Sequence, residues 1–234
     1  MAMTGADFID EVRENIRRNS DGVSDTRILR WVNWAKDFIA DLHTYEEMKK
    51  NYVGSTTSSQ KRYGFPTNMK DIYTMTLQSG AESRKLDYVH PRTMDRAVPR
   101  FEAYTEGKPS QYVDYGANFE LFLIPDDEYT LNLRCTLYPD DLTNTSTAWS
   151  SYATCYFKRK DALISAIATV FGFYSLREVE DAAWWANNIV PELYAASLTS
   201  DHTAVDWGPK ARQFTSGGAL IGNWWKNPFT GRTV

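Results

Sequence analysis

FELFLIPDDEYTLNLRCTLY, residues 119–138, is the stretch that decides the class of this chain. Phe119, Leu121 and Leu123 alternate with Glu120, Phe122 and Ile124. After Pro125-Asp126-Asp127-Glu128, a second run alternates Tyr129, Leu131, Leu133, Cys135 and Leu137 against Thr130, Asn132, Arg134, Thr136 and Tyr138. A period of two gives each run one buried and one wet face, the pattern of an antiparallel sheet. The Pro-Asp-Asp-Glu segment has turn chemistry, so the two runs read as a hairpin, ended by Pro139-Asp140-Asp141.

Upstream the same period continues more weakly. Tyr73, Met75 and Leu77 share one face of the segment from Asp71 to Leu77, and Leu86 and Tyr88 share one between Lys85 and Val89. Thr93 to Ala97, between Pro91 and Pro99, fits a short polar helix. Asn51 to Arg62 is polar and rich in Ser and Thr, which reads as an extended segment or a loop.

Outside this region the period becomes helical. Thr4 and Asp7 have the spacing of a capping box, and Phe8, Ile9, Val12 and Ile16 follow at helical intervals until Asp21-Gly22. Ser24 or Asp25 then caps a helix with the stripe Ile28, Trp31, Val32, Ala35, Phe38, Ile39 and Leu42; Arg27, Arg30, Lys36, Asp37 and Asp41 occupy its other face. On the far side of the β region, Tyr156, Leu163, Ile167, Val170 and Tyr174 form one helical run. Val179, Ala182, Ala183, Ala186, Ile189, Val190, Leu193 and Tyr194 form another, which Pro191 must kink or divide. The expected fold class is therefore α+β. An antiparallel helical body (residues 1–50 and 146–200, with two N-terminal and two or more C-terminal helices) carries an inserted antiparallel β-rich domain (51–145).

After Asp201 the periodicity ends. Gly208, Gly217, Gly218, Gly222 and Gly231 are interspersed with Trp207, Phe214, Trp224, Trp225 and Phe229. Glycines with anchoring rings predict an extended C-terminal arm (201–234) that contacts another protein through those five aromatics. Fully extended, it reaches on the order of 110 Å at about 3.3 Å per residue. In the helical body, neighbours on a helix point about 100° apart, so one ring of Trp184-Trp185 is expected to face the core and the other a neighbouring subunit.

Composition narrows the function. With 42% hydrophobic residues in 234, and 8 Trp, 14 Tyr and 11 Phe, the chain buries a substantial core. A net charge of −4 argues against a dedicated nucleic-acid binder but is compatible with lining a passage through which DNA slides. Cys135 and Cys155 have neither disulfide-framework nor zinc spacing and are expected as buried thiols, suiting a reducing cytoplasm. No secretory signal is expected, and the longest apolar run, Ala162 to Tyr174, is shorter than the roughly 20 residues of a membrane span.

A catalytic constellation is not evident. His43, His90 and His202 lack a metal-binding or catalytic spacing, and no nucleophile elbow, phosphate loop or dinucleotide turn occurs. Asp126-Asp127-Glu128 and Asp140-Asp141 fall at strand ends, where Asp serves turns. Asp126 or Asp140 as a catalytic acid would need a second acid across a cleft. Lys49-Lys50 and Lys61-Arg62 flank the polar stretch and are the candidates for touching a phosphate backbone, whereas Lys158-Arg159-Lys160 reads as a solvated helix start. An alternative assigns the β insert to carbohydrate or surface-ligand binding through Tyr104, Tyr112 and Tyr115. The expectation is a non-enzymatic protein without metal or cofactor.

The order of parts resembles the head-to-tail adaptor (connector) proteins of tailed bacteriophages, of the short-tailed type. The resemblance covers roughly residues 6 to 200 and rests on Phe8-Ile9-Asp10-Glu11-Val12, then Ile28-Leu29-Arg30-Trp31-Val32-Asn33-Trp34-Ala35. It continues in Gly107-Lys108-Pro109-Ser110-Gln111-Tyr112, the segment from Phe119 to Pro139, and the alanine-rich helices after it. It implies a virion subunit of the neck, assembled in the host cytoplasm into a ring, commonly twelve-fold. Its partners would be further copies of itself, the portal protein above, a tail nozzle or hub protein below, and genomic DNA passing through the lumen during ejection. The family has no catalytic residues to carry over.

Overall fold

The computed structural model describes residues 3–18, 22–98, 105–144 and 146–199. In chain order the elements are α1 (Gly5–Asn15), α2 (Asp25–Leu42), β1 (Lys49–Ser55), β2 (Arg62–Gly64), β3 (Met69–Ser79), β4 (Glu82–Lys85), β5 (Asp87–Tyr88) and α3 (Pro91–Ala97). They continue with β6 (Gln111–Tyr115), β7 (Asn118–Phe122), β8 (Thr130–Leu137), α4 (Trp149–Tyr152), α5 (Asp161–Leu176), α6 (Val179–Asn188) and α7 (Val190–Thr199). The fold is α+β. The described residues form two compact units: one from the segments up to residue 47 and from 139 to 199, the other from residues 48–138.

The first unit is helical. The expected box at its start forms, with the Thr4 N–H donating to Asp7 Oδ2 at 2.8 Å and the Asp7 N–H to Thr4 Oγ1 at 3.1 Å. Its core is α5, buried at every residue from Leu163 to Val170 and packed on α1, α2, α6 and α7. A helix apolar all round is a core helix rather than an amphipathic surface one. Gly172 lets α2 approach closely, because a Cβ there would lie 3.1 Å from Ile16 Cγ2 and 3.2 Å from the Trp31 ring. On α2 the inner stripe is buried as the spacing predicts, except that Phe38 is half-buried and Leu42 exposed. The run holding Pro191 divides at Ile189 into α6 and α7.

The second unit holds two four-stranded sheets, ordered β1-β8-β3-β4 and β2-β7-β6-β5. The pairings between these strands are antiparallel except the two-residue β5–β6 contact. The expected hairpin over residues 119–138 does not form: β7 and β8 belong to different sheets. β7 instead makes its hairpin with β6, closed by Tyr115 opposite Asn118 around Gly116-Ala117. Gly116 has φ +72°, and its N–H donates to Asp114 Oδ1 at 2.8 Å, which is two-residue hairpin chemistry. The Pro125 segment is a crossing between sheets, held by the segment after β1. The Thr56 N–H donates to the Tyr129 carbonyl at 2.8 Å, the Tyr129 N–H to Thr56 Oγ1 at 2.8 Å, and the Ser59 N–H to the Pro125 carbonyl at 2.8 Å.

The Asn51–Arg62 stretch is extended over residues 51–55, which belong to strand β1, an edge strand whose outer face needs no apolar residues. Two further expectations change. On β3, a register shift between Ile72 and Thr74 leaves Tyr73 half exposed while Met75 and Leu77 are buried; a bulge resets the alternation. Leu86 is buried and Tyr88 exposed, because the chain leaves the first sheet at Leu86 and joins the second at Asp87. Helix α3 forms where expected, starting with Pro91, and Met94 packs with Val113 in a small cluster flanked by Val89, Val98, Phe122 and Ile124.

Candidate functional site

Several of the titratable side chains singled out in the sequence hold local structure. Asp126 accepts from the Tyr129 hydroxyl at 2.7 Å, and this bond, with burial, pushes that phenol up to about 12. Asp127 accepts from the Glu128 N–H. Asp140 accepts from the Cys155 N–H at 2.8 Å, and its carbonyl receives the Trp149 indole N–H at 3.1 Å. The His90 ring caps α3 by accepting from the Arg92 N–H, and the His43 ring lies edge-on to Tyr45; His202 lies outside the described residues. Cys135 and Cys155 are buried thiols. Among the described residues, no group of three or more His, Cys, Asp or Glu side chains is placed to hold a metal ion. No described helix is long and apolar enough to cross a membrane.

Two lysines read from sequence as solvated are buried in the helical unit. Lys36 is 1% exposed, and its ammonium donates to the Pro139 carbonyl at 3.0 Å and lies 2.8 Å from Asp37 Oδ1 and 2.7 Å from Asp141 Oδ1. Lys160 is 2% exposed, 2.9 Å from Glu47 Oε1 and 4.4 Å from the centre of the Tyr45 ring. A buried ammonium needs this degree of pairing, since an unpaired one costs several kcal/mol. Both lysines grip residues at the boundary where the chain leaves for the β unit or returns from it: Glu47 closes the first helical segment and Pro139 opens the second. Asn33 adds a two-way bond to Leu142, donating to its carbonyl at 3.1 Å and accepting from its N–H at 2.8 Å. Position in the helical period alone concealed Lys36, because two of its three partners, the Pro139 carbonyl and Asp141, come from more than a hundred residues away in the chain.

The four cations named for phosphate contact fall on two different sheets. Lys49 and Lys50 point to opposite faces of β1 in one sheet, and Lys61 and Arg62 lie at the edge of the other. Arg62 donates from Nε (2.9 Å) and Nη2 (2.6 Å) to Glu120 Oε1. Glu120, placed on the wet face by its spacing, is 2% exposed, and its Oε2 has no partner among the described residues. Of the three tyrosines named for a surface ligand, Tyr112 is buried against Tyr88, Tyr115 is partly exposed, and Tyr104 lies outside the described residues.

What the helical unit does expose is large aromatic surface. Trp34 on α2 is 53% exposed and edge-on to Phe171, which also meets Phe38. It borders an open groove of about 380 Å³ lined also by Leu29, Arg30, Asn33, Asp37 and Asp141. The sequence missed this ring because it sits beside the well-marked Trp31 stripe. On α6, Trp184 is 55% exposed and meets the half-buried Trp185 edge-on, with centroids 6.1 Å apart. Trp207, Phe214, Trp224, Trp225 and Phe229 lie outside the described residues.

Several acids and cations hold the fold, while Trp34 and Trp184 stand exposed on helix surfaces, where aromatic rings suit contact with another protein. The chain belongs to the SU10 adaptor protein family, whose model matches residues 3–187. That family is one of structural phage adaptors and not of enzymes, in keeping with the resemblance to head-to-tail adaptors. The match spans both the helical body and the whole β unit and stops within α6. No curated protein matches the chain.

Proposed function

We propose that this adaptor is the subunit of a twelve-fold ring in the virion neck of a short-tailed phage, docked beneath the portal, joining head to tail and continuing the DNA channel. The family match over residues 3–187 carries the reading. The exposed Trp34 and Trp184 support it, because a ring subunit must offer neighbours apolar surface on its flanks. The net charge of −4 suits a channel that DNA traverses without being retained. In this reading the helical bodies form the ring wall. The β-rich insert and the arm over residues 201–234 reach the portal, the tail nozzle or hub protein, or the neighbouring subunit.

Mixing the purified chain with portal protein tests the reading. Electron microscopy and light scattering should show a stable complex with a ring added to the portal; absence of association overturns it. Deleting residues 203–234 should leave a folded subunit with weakened docking, and unaltered docking removes the role given to the arm and its five aromatics.

A further inference from the structure

Two helices of the body carry the same exposed pattern with opposite charge. On α2, Arg30 and Trp34 stand four residues apart, one above the other, and both border the open groove. On α6, Glu180 and Trp184 repeat that spacing, both exposed. If the two helices lie parallel with Trp184 beside Trp34, the same offset sets Glu180 against Arg30 and the Asn187 amide against Asp37. Charge favours this occupant. The α6 sequence VEDAAWWANN contains Glu180 and Asp181 and no Lys or Arg, so it presents only acids to the arginine end of the groove. At the other end, Asp37 and Asp141 share the single ammonium of Lys36, which leaves surplus negative charge for an amide donor and would repel a carboxylate. The complement is directional: a charged acid-then-indole helix meets a base-then-indole groove. Both belong to one chain, and such a head-to-tail contact between different patches generates a ring when the rotation closes.

We propose that α6 of one copy seats in the α2 groove of the next, with Glu180 on Arg30 and Trp184 packed beside Trp34. This rests on the ring reading and names the surface through which the ring closes.

The test uses the full chain with portal protein, reading ring formation by electron microscopy and sedimentation. Arg30→Glu and Glu180→Arg should each weaken assembly by more than about tenfold, because like charges then face each other; the double variant should restore it. Both residues are exposed, so circular dichroism should show native folding in all three. In addition, an oxidised mixture of the Arg30→Cys and Glu180→Cys chains should give disulfide-linked dimers that neither chain gives alone. Rings from the single variants equal to those of the native chain, no rescue by the double variant, or cross-linking of Arg30→Cys with itself would overturn this interface while leaving the ring reading in place. Failure of the native chain to form rings overturns both.

Discussion

Replacing Lys36 probes how the buried cations hold the helical body. In Lys36→Met the aliphatic stem is largely kept and the ammonium lost. Asp37 and Asp141, whose side chains are 47% and 74% exposed, can regain water, but the buried Pro139 carbonyl loses a donor, which costs about 1–3 kcal/mol. Relief of the ammonium's own desolvation offsets part of this, leaving a net loss of about 1–2 kcal/mol. Lys36→Ala additionally removes about three buried methylenes at roughly 0.8 kcal/mol each and leaves a cavity, for about 3–5 kcal/mol in all. For a chain of this size that lowers the melting temperature by roughly 6–20 °C. Asp141→Asn, on the exposed side of the cluster, should cost less than about 1 kcal/mol. Urea and thermal unfolding of the three variants measures the series. A Lys36→Ala chain as stable as the native one, or Asp141→Asn as damaging as Lys36→Ala, would refute the assignment of Lys36 as a buried clamp.

Other perturbations test other parts of the fold. Thr4→Ala should cost about 1 kcal/mol of stability. The Thr4 backbone N–H, which the Thr4→Ala chain keeps, holds the Asp7 carboxyl below its ordinary value. The stabilisation from that bond is full above the usual carboxylate range and fades as pH falls through the lowered value, so the stability curves of Asp7→Ala and the native chain should converge in acid. Gly172→Leu, at a site with Ile16 and the Trp31 ring just over 3 Å from a Cβ, should destabilise by about 1–3 kcal/mol despite leucine's better helix propensity; a stabilised variant in thermal melts would contradict the close approach. Arg62→Ala strands the buried Glu120 carboxylate and should cost about 1–3 kcal/mol in urea unfolding, since Arg62 itself is largely exposed. Adding Glu120→Gln should recover part of that loss.

Local features were legible in the sequence and non-local ones were not. The Thr4–Asp7 box, the Trp31 stripe, the short helix after His90 and the division of the last helical run beside Pro191 depend on residues within a turn or two of each other. Sheet partners depend on distant segments. The alternation in residues 119–138 correctly gave two strands, yet nothing in it reveals that Thr56 and Ser59 hold the intervening turn as a crossing between sheets. The hairpin that does form was signalled by Asp114-Tyr115-Gly116, a weaker cue than the Pro-Asp-Asp-Glu segment. The bulge at Tyr73 illustrates the same limit, since one extra residue reverses the facing that strict alternation predicts. Lys36, Lys160 and Glu120 read as solvated in the sequence, and the groups that hold them, the Pro139 carbonyl, Glu47 and Arg62, come from other parts of the chain. Of the contact residues, Trp184 stood out as half of a tandem pair, whereas Trp34 emerged only with the groove around it.

The most direct measurement is imaging of the full chain bound to portal protein by electron cryo-microscopy. A closed ring of this subunit beneath the portal, with the channel continuing through its centre, is the predicted result. A complex in which the chain binds singly or not at all would contradict it.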